Sequence, residues 1–333
     1  MPRIEVTGIG RIEDVVRIAD VDYTAVPEAG KVRLRLIAAP INPADLLTID
    51  GRYGVIPPPP FTPGSEATAR VVAVGEGVDG LAVGDAVLIM PGGGLWADPL
   101  ELPARHVIRL PEGVDAEQAA MLKGTLATAR LLVEESGLGA GDWLVQNAAN
   151  SAVGTSVARV AKRAGIRTLG IVRGEAAAEV ARAAGHDAVL VLANAGADAA
   201  GLKAAAMPIL GEAGARHALD AVGGGAGGAL TGLLAPGSRL VNYGLLSGKP
   251  LEVPAEALVF GGVTVTGFWL LTWFRSRSPA DAFALFNRLL SDMAEHGPVL
   301  DLAIEARYPI AQGVEALLHA AREGRSGKVL LTA

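Results

Sequence analysis

The chain has 333 residues, enough for two ordinary domains, and half of them are hydrophobic, so sizeable cores can be buried. Its 29 basic and 35 acidic side chains leave a formal charge of −6 with no basic block, which argues against a nucleic-acid surface. The absence of cysteine excludes disulfides, thiol nucleophiles and thiolate metal sites, and the five histidines offer no short-spaced pair for zinc.

The chain opens on Met1-Pro2-Arg3-Ile4-Glu5, without the basic and apolar segments of a signal peptide, and no apolar run reaches transmembrane length. A soluble cytoplasmic protein is expected, with small molecules or its own copy as partners rather than nucleic acid or membrane. From Lys31 to Ala39 (KVRLRLIAA) and from Ala67 to Val74 (ATARVVAV), short alternating runs predict a β-rich first third, broken by turns at Gly75-Glu76-Gly77 and Val83-Gly84-Asp85. After Pro111 apolar strands alternate with Ala-rich helices. Strands are predicted at 143–147, 167–173, 187–192, 217–224, 238–244 and 263–269, with helices near 152–164 and 175–184. This alternation implies a parallel sheet covered on both faces. The Ala/Gly-rich stretch 193–215 reads as a helix with loose ends. A helix from Pro279 (ADAFALFNRLLSDMAEHG) and a last strand (GKVLLTA) close the series, and periodicity does not say whether they rejoin the first domain.

Strand 143–147 runs into Ala148-Ala149-Asn150-Ser151-Ala152-Val153-Gly154. A dinucleotide site at such a junction needs small side chains, so that backbone N–H groups and the helix N-terminus can approach a pyrophosphate. Nothing before Val153 is larger than Asn, which tolerates positive φ; Ser151 can donate to a phosphate oxygen, and Gly154 permits close helix–sheet packing. Such turns are also ordinary architecture. The next strand ends in Arg173, 19 positions after Gly154, where an NADP site carries an Arg for the 2′-phosphate and an NAD site an acidic residue. A guanidinium matches phosphate bidentately. Glu175 nearby keeps the NAD reading open, and a solvated helix cap is the plain structural role for Arg173.

With these residues in view, the sequence resembles the medium-chain dehydrogenase/reductase superfamily. VGEGVDGLAVGDAV (74–87) is similar to its strand–turn–strand pattern. INPADLLTIDGRYG (41–54), VQNAANSAVG (145–154), GIVR (170–173), VNYG (241–244) and GFWLLTW (267–273) resemble its trans-2-enoyl thioester reductases, from about residue 30 onward. The resemblance implies an α/β fold with a partly open GroES-like β-barrel catalytic domain from residues 1–115 and 270–333. Residues 116–269 would form the Rossmann cofactor domain, a doubly wound parallel sheet. It also implies a zinc-free enzyme: zinc alcohol dehydrogenases carry Gly-His-Glu where this chain reads Gly64-Ser65-Glu66, and they use Cys ligands absent here.

Reducing an activated carbon–carbon double bond without a metal requires a hydride at the β-carbon, donors for the charge pushed onto the carbonyl oxygen, and an acid for the α-carbon. Tyr53 is the candidate acid, because a phenol is protonated at neutral pH and can donate. It sits in Gly51-Arg52-Tyr53-Gly54, ahead of the stiffening run Pro57-Pro58-Pro59-Pro60. A Tyr packing on a loop is the bland reading. In the reductases this chain resembles, the Tyr of the matching segment is the proton donor. The resemblance also places Asn42 beside the nicotinamide and Trp269 between cofactor and acyl pocket, although Asn42 alone reads as a turn-former and the aromatic cluster as core.

Cofactor contacts are expected from Thr125, Asn150, Ser151, Ala152, Val153, Gly154 and Arg173. Others are expected from Tyr243, Gly244, Leu245 and Leu246 at a strand's carboxyl edge, from Phe268 and Leu270, and from Lys328 near the 2′-phosphate. Strand 263–268 would form the edge of a homodimer. Two positions depart from the reductases. Lys123-Gly124-Thr125-Leu126 stands in place of an Asn-Pro pair and resembles quinone reductases of the same superfamily, and Gly174-Glu175 replaces a second Arg. The expected function is NADPH-dependent reduction of trans-2-enoyl thioesters carried on CoA or an acyl carrier protein. Arg275, Arg277 and Arg288 are candidate rim cations, or equally a solvated helix face. The alternatives are a zinc-independent quinone or enone reductase and a non-catalytic NADPH-binding protein.

Overall fold

The computed structural model describes residues 1–333 apart from 24–25, 91, 197, 297–299, 323 and 326, together with the side chain of 296. Position 197 of the Ala/Gly-rich stretch, the expected last helical residue 297, and 326 ahead of the last strand lie outside the described residues. The chain divides into two compact units, Met1–Gly124 with Leu285–Ala333, and Thr125–Ala284. The breaks fall nine residues later at the first junction and 15 later at the second than the sequence-based boundaries 115/116 and 269/270. The second break lies inside one continuous helix, Pro279–His296, so composition gives no mark of it.

The first unit holds β1 (Pro2–Val6), β2 (Val16–Asp20), β3 (Lys31–Pro40), β4 (Ala67–Val74), β5 (Ala86–Ile89), β6 (Leu100–Pro103) and β7 (Val107–Arg109). The second holds β8 (Trp143–Gln146), β9 (Arg167–Val172), β10 (Ala188–Val191), β11 (Ala215–Asp220), β12 (Leu234–Asn242) and β13 (Thr264–Gly267). β14 (Ile304–Pro309) and β15 (Lys328–Thr332) then return to the first unit.

The first unit's main sheet runs β14-β15-β3-β4-β5-β7, with β6 also on β3, and β1 and β2 form a separate hairpin. β3 alternates buried Val32, Leu34 and Leu36 with more exposed Arg33 and Arg35, the period of a strand with one face on a core. β15 pairs antiparallel with β3, placing Leu330 opposite Pro40 and Leu331 opposite Ala39. That pairing is the closure periodicity could not supply. The core beneath gathers Ile4, Leu34, Ile41, Ile49, Trp96 and Leu331 from both chain segments. No strand is predicted from the sequence at β1, β2, β6, β7 or β14. β14 has no fully buried residue, so its alternation carries little apolar signal.

The second unit is a six-stranded sheet in the order β10-β9-β8-β11-β12-β13, with every pairing parallel. Numbered from its own first strand this is 3-2-1-4-5-6, the doubly wound order, with its switch point between β8 and β11. β8 is buried throughout and β9 at all but Arg167, as strands covered by crossover helices must be. The helices Ala152–Arg163 and Glu175–Ala183 follow β8 and β9 as expected, and Ala199–Leu210 occupies the middle of the Ala/Gly-rich stretch.

Candidate active site

In the second unit, the carboxyl ends of β8, β11 and β12 converge on one carboxylate. Asp220, fully buried at the end of β11, accepts from Asn147 Nδ2 at 2.6 Å and Asn242 Nδ2 at 2.7 Å. It also accepts from the backbone N–H groups of Val222 at 2.9 Å and Gly223 at 3.0 Å. Asn147 Oδ1 accepts from Ala221 N at 2.8 Å, so the side chain following β8 is clamped across the switch point. Each of these residues ends an apolar strand with a polar side chain. Desolvating them unpaired would be costly, and here every donor is matched.

This clamp sets the start of the expected phosphate loop. Ala148 adopts φ 47°, the one positive-φ non-glycine among the described residues, so the left-handed turn falls there rather than on Asn150. Asn147 cannot yield, being held by its side chain on both sides. Ser151 caps the helix Ala152–Arg163 by accepting from Gly154 N at 3.1 Å, which leaves its hydroxyl hydrogen available to donate. A Cβ on Gly154 would lie 2.6 Å from Ala148 O and 2.9 Å from Ala149 O, so only glycine allows the loop to fold back this closely. Asn150 is exposed, and Ser151, Ala152 and Val153 are half-buried around the helix N-terminus. Tyr243 Oη is buried beside Ser151 and Asp220 with no hydrogen-bond partner of proper geometry among the described residues, and burial pushes its ionisation well up. An orphaned donor next to a capped helix N-terminus fits an anionic group bound at this loop.

Behind the loop, Gln146 Nε2 donates to Gly154 O at 2.8 Å and meets His186 Nε2 at 3.0 Å. The glutamine nitrogen only donates, so His186 Nε2 must accept and the ring is neutral. Burial pushes His186 down to about 4, and burial with Arg239 does the same to His217. Both folded values lie below the ordinary 6.5, so the unfolded chain binds more protons between about 6.5 and 4. Stability is therefore lost as pH falls through that window, by up to ~3 kcal/mol for each ring. Asp45, in the first unit, opposes this: burial and Glu66 raise it to about 7, so its contribution is lost as pH rises from about 4 to 7. Thermal denaturation from pH 7 to 4 should show a falling Tm that His217→Leu flattens; an equally steep fall in the variant refutes the assignment.

Arg173 follows β9 directly, is exposed, and engages no side chain among the described residues. Glu175 is drawn to Arg182 on its own helix at 3.3 Å. Gly244 follows β12 so closely on Ala221 that a Cβ would lie 2.5 Å from its carbonyl oxygen, and Leu245 and Leu246 beyond it are 59% and 57% exposed. Phe268 N donates to Asn242 O at 2.8 Å, Trp269 precedes the short helix Leu270–Arg275, and the Arg275 guanidinium lies 5.9 Å from the Trp269 ring. Thr125 is buried in a π-helical turn, Leu122–Ala127.

In the first unit the helix Pro43–Ile49 connects two expected site residues. Asn42 precedes it, with its N–H donating to Asp45 Oδ2 at 2.9 Å. At the far end Gly51 turns at φ 77°, and Arg52 N and Tyr53 N both donate to Leu47 O, at 2.8 and 3.1 Å. Tyr53 thus stands half-buried on a short tether to a packed helix. Asn42 Nδ2 donates to Glu66 Oε1 at 2.7 Å, Lys328 Nζ donates to Asn42 Oδ1 at 2.6 Å, and Gly124 N donates to Glu66 Oε2 at 2.6 Å. Lys123 Nζ donates to Ser65 O at 2.6 Å. Burial holds both lysines below the usual ammonium range.

The structure therefore gathers Asn150–Gly154, Tyr243 and Gly244 around one loop in the second unit, and Asn42 with Lys328 in the first. Sequence reasoning did not select Asn147, Asp220, Asn242 or Glu66 as site residues. The signal was the polar side chain closing each apolar strand, and for Glu66 the Gly64-Ser65-Glu66 triplet.

Residues 28–112 match the family model of the alcohol dehydrogenase GroES-like domain, and residues 152–288 the model named zinc-binding dehydrogenase. The human mitochondrial enoyl-[acyl-carrier-protein] reductase is 32% identical over 324 residues, spanning 96% of this chain and 85% of that protein. The chain belongs to the medium-chain dehydrogenase/reductase superfamily. Within the superfamily it is an oxidoreductase of the enoyl thioester reductase branch. Among solved structures, a mycobacterial quinone oxidoreductase is 26% identical with a TM-score of 0.80, and a mycobacterial protein complexed with NADPH is 26% identical with a TM-score of 0.83. Each of these two covers 100% of both chains. The name of the second family model does not bring a thiolate zinc site to this member, which has no cysteine. Among the described residues no helix is long and apolar enough to cross a membrane.

Proposed function

We propose that this chain reduces the carbon–carbon double bond of a trans-2-enoyl thioester, on CoA or an acyl carrier protein, with NADPH. The observation that carries the reading is the identity with the human enoyl reductase across 96% of the chain. The NADPH-complexed mycobacterial structure and the orphaned Tyr243 hydroxyl beside the Ser151 cap support a nicotinamide dinucleotide at the second unit's loop. Ser151, Ala152, Val153 and Gly154 would hold its pyrophosphate, with Asn150 and Thr125 flanking it. Tyr243, Gly244, Leu245, Leu246, Phe268 and Leu270 would hold the nicotinamide half. When bound, the reduced nicotinamide supplies the hydride that reaches the β-carbon. Tyr53 donates its phenolic proton to the α-carbon and is reprotonated from solvent, while Asn42 and Trp269 orient the reacting groups.

Arg173 favours NADPH because it is free to take a 2′-phosphate bidentately, whereas Glu175, the rival partner for a ribose hydroxyl, is paired with Arg182. Arg173→Ala should raise KM for NADPH about tenfold or more and leave KM for NADH unchanged. Equal effects on both cofactors would refute the assignment. A homodimer would form through β13, an edge strand with mostly exposed residues, and sedimentation at the monomer mass would exclude it.

Oxidation of NADPH with crotonyl-CoA tests the activity directly. No turnover, beside fast turnover of a quinone, transfers the reading to the quinone reductases, which the Lys123-Gly124 pair and the mycobacterial quinone oxidoreductase favour. Tight NADPH binding with no reduction of any acceptor would leave a non-catalytic protein.

A further inference from the structure

Asn42 is held from both sides by groups that can each play only one hydrogen-bonding role. Glu66 as a carboxylate accepts, and its two oxygens take Asn42 Nδ2 and Gly124 N. Lys328 as an ammonium donates, and its Nζ takes Asn42 Oδ1. Only one of the two amide orientations satisfies both neighbours. A Cβ on Gly124 would come within 2.8 Å of Glu66 Oε1, so the glycine of the Lys123-Gly124 pair lets the π-helical turn approach closely enough to fix the carboxylate. We propose that Glu66 and Lys328 are positioning residues which set the direction of the Asn42 amide, and so present one N–H and one lone pair of Asn42 to the reacting groups. The proposal rests on the reading above for Asn42, and it gives Lys328 a different task from contact with a 2′-phosphate.

The polarity of this relay can be reversed. In Glu66→Gln the new oxygen stays with Gly124 N, so its NH2 faces Asn42. Asn42 must then turn its oxygen toward residue 66 and its own NH2 toward the Lys328 ammonium, donor against donor. Adding Lys328→Gln supplies an acceptor there, and the double variant removes one charge of each sign, leaving Asp45 matched by Lys123. Tm, kcat, and KM for NADPH and NADH would be measured for E66Q, K328Q, E66Q/K328Q and K328M, with whichever acceptor the wild type reduces, crotonyl-CoA or a quinone. The expected result is a lowered Tm in E66Q, recovery in the double variant, and a kcat that stays about 10- to 100-fold below wild type in both, because the amide remains reversed. Recovery of kcat along with Tm would mean a merely structural role and overturn the proposal. So would independent Tm effects at 66 and 328, or a K328M variant whose KM rises for NADPH and not for NADH. The Tm cycle needs no substrate, so it reads the relay even if crotonyl-CoA is not turned over, an outcome that would count against the enoyl reductase reading instead.

Discussion

Tyr53→Phe is expected to lower kcat with an enoyl thioester by about 100-fold or more, leaving KM for NADPH and the Tm near wild type. The substitution removes one oxygen and its proton while keeping the ring. Backbone bonds of residues 52 and 53 to Leu47 O and the turn at Gly51 hold the segment, and the substitution leaves them in place. A fall in kcat alone would therefore report the proton donor rather than a displaced loop. Gly51 is the sensitive point of that scaffold, since a Cβ there would lie 2.4 Å from Ile9 Cγ2. Wild-type turnover by Tyr53→Phe would show that the α-carbon takes its proton from elsewhere, and the quinone reductase reading, which needs no carbon acid–base partner, would gain.

Asp220→Ala should cost about 3 to 5 kcal/mol of stability, seen as a Tm drop on the order of 10 °C, and should abolish cofactor binding. The carboxylate satisfies two side-chain amides and two backbone N–H groups inside a fully buried site. Its removal leaves the buried donors Asn147 Nδ2 and Gly223 N unpaired, together with the half-buried Asn242 and Val222, and it frees Asn147, which sets the start of the phosphate loop. Asp220→Asn is the informative partner, because it keeps the volume and one acceptor oxygen but turns an NH2 toward a donor; its Tm should fall between those of Asp220→Ala and wild type. Calorimetry with and without NADPH checks both variants. A Tm within 2–3 °C of wild type for Asp220→Ala, roughly the effect of one ordinary hydrogen bond, would deny the network its role.

The two predictions differ in how visible their residues are along the chain. Gly154 and Arg173 lie 19 positions apart on one strand–helix–strand segment, so their spacing suggested a cofactor site, whereas the role of Tyr53, in a local motif, came from the resemblance to the enoyl thioester reductases. Asp220 meets Asn147 across 73 residues and Asn242 across 22, and Lys328 meets Asn42 across 286. No local pattern marks those meetings, because they depend on which strands become neighbours. The left-handed residue is Ala148, next to the clamped Asn147, although asparagine tolerates that conformation more readily.

By itself the sequence determined the class of the protein. Apolar runs bounded by glycine, alternating with Ala-rich helices, are short-range consequences of burying parallel strands, and the absence of cysteine is a plain count with chemical force. Only the tertiary structure decided that β15 pairs with β3 in the register Leu330–Pro40 and Leu331–Ala39, that the carboxyl ends of β8, β11 and β12 share one carboxylate, and that Asn42 faces one way between Glu66 and Lys328. The reason is physical: helix and strand periodicity act over a few residues, whereas a buried polar group is paired by whatever the sheet order brings beside it.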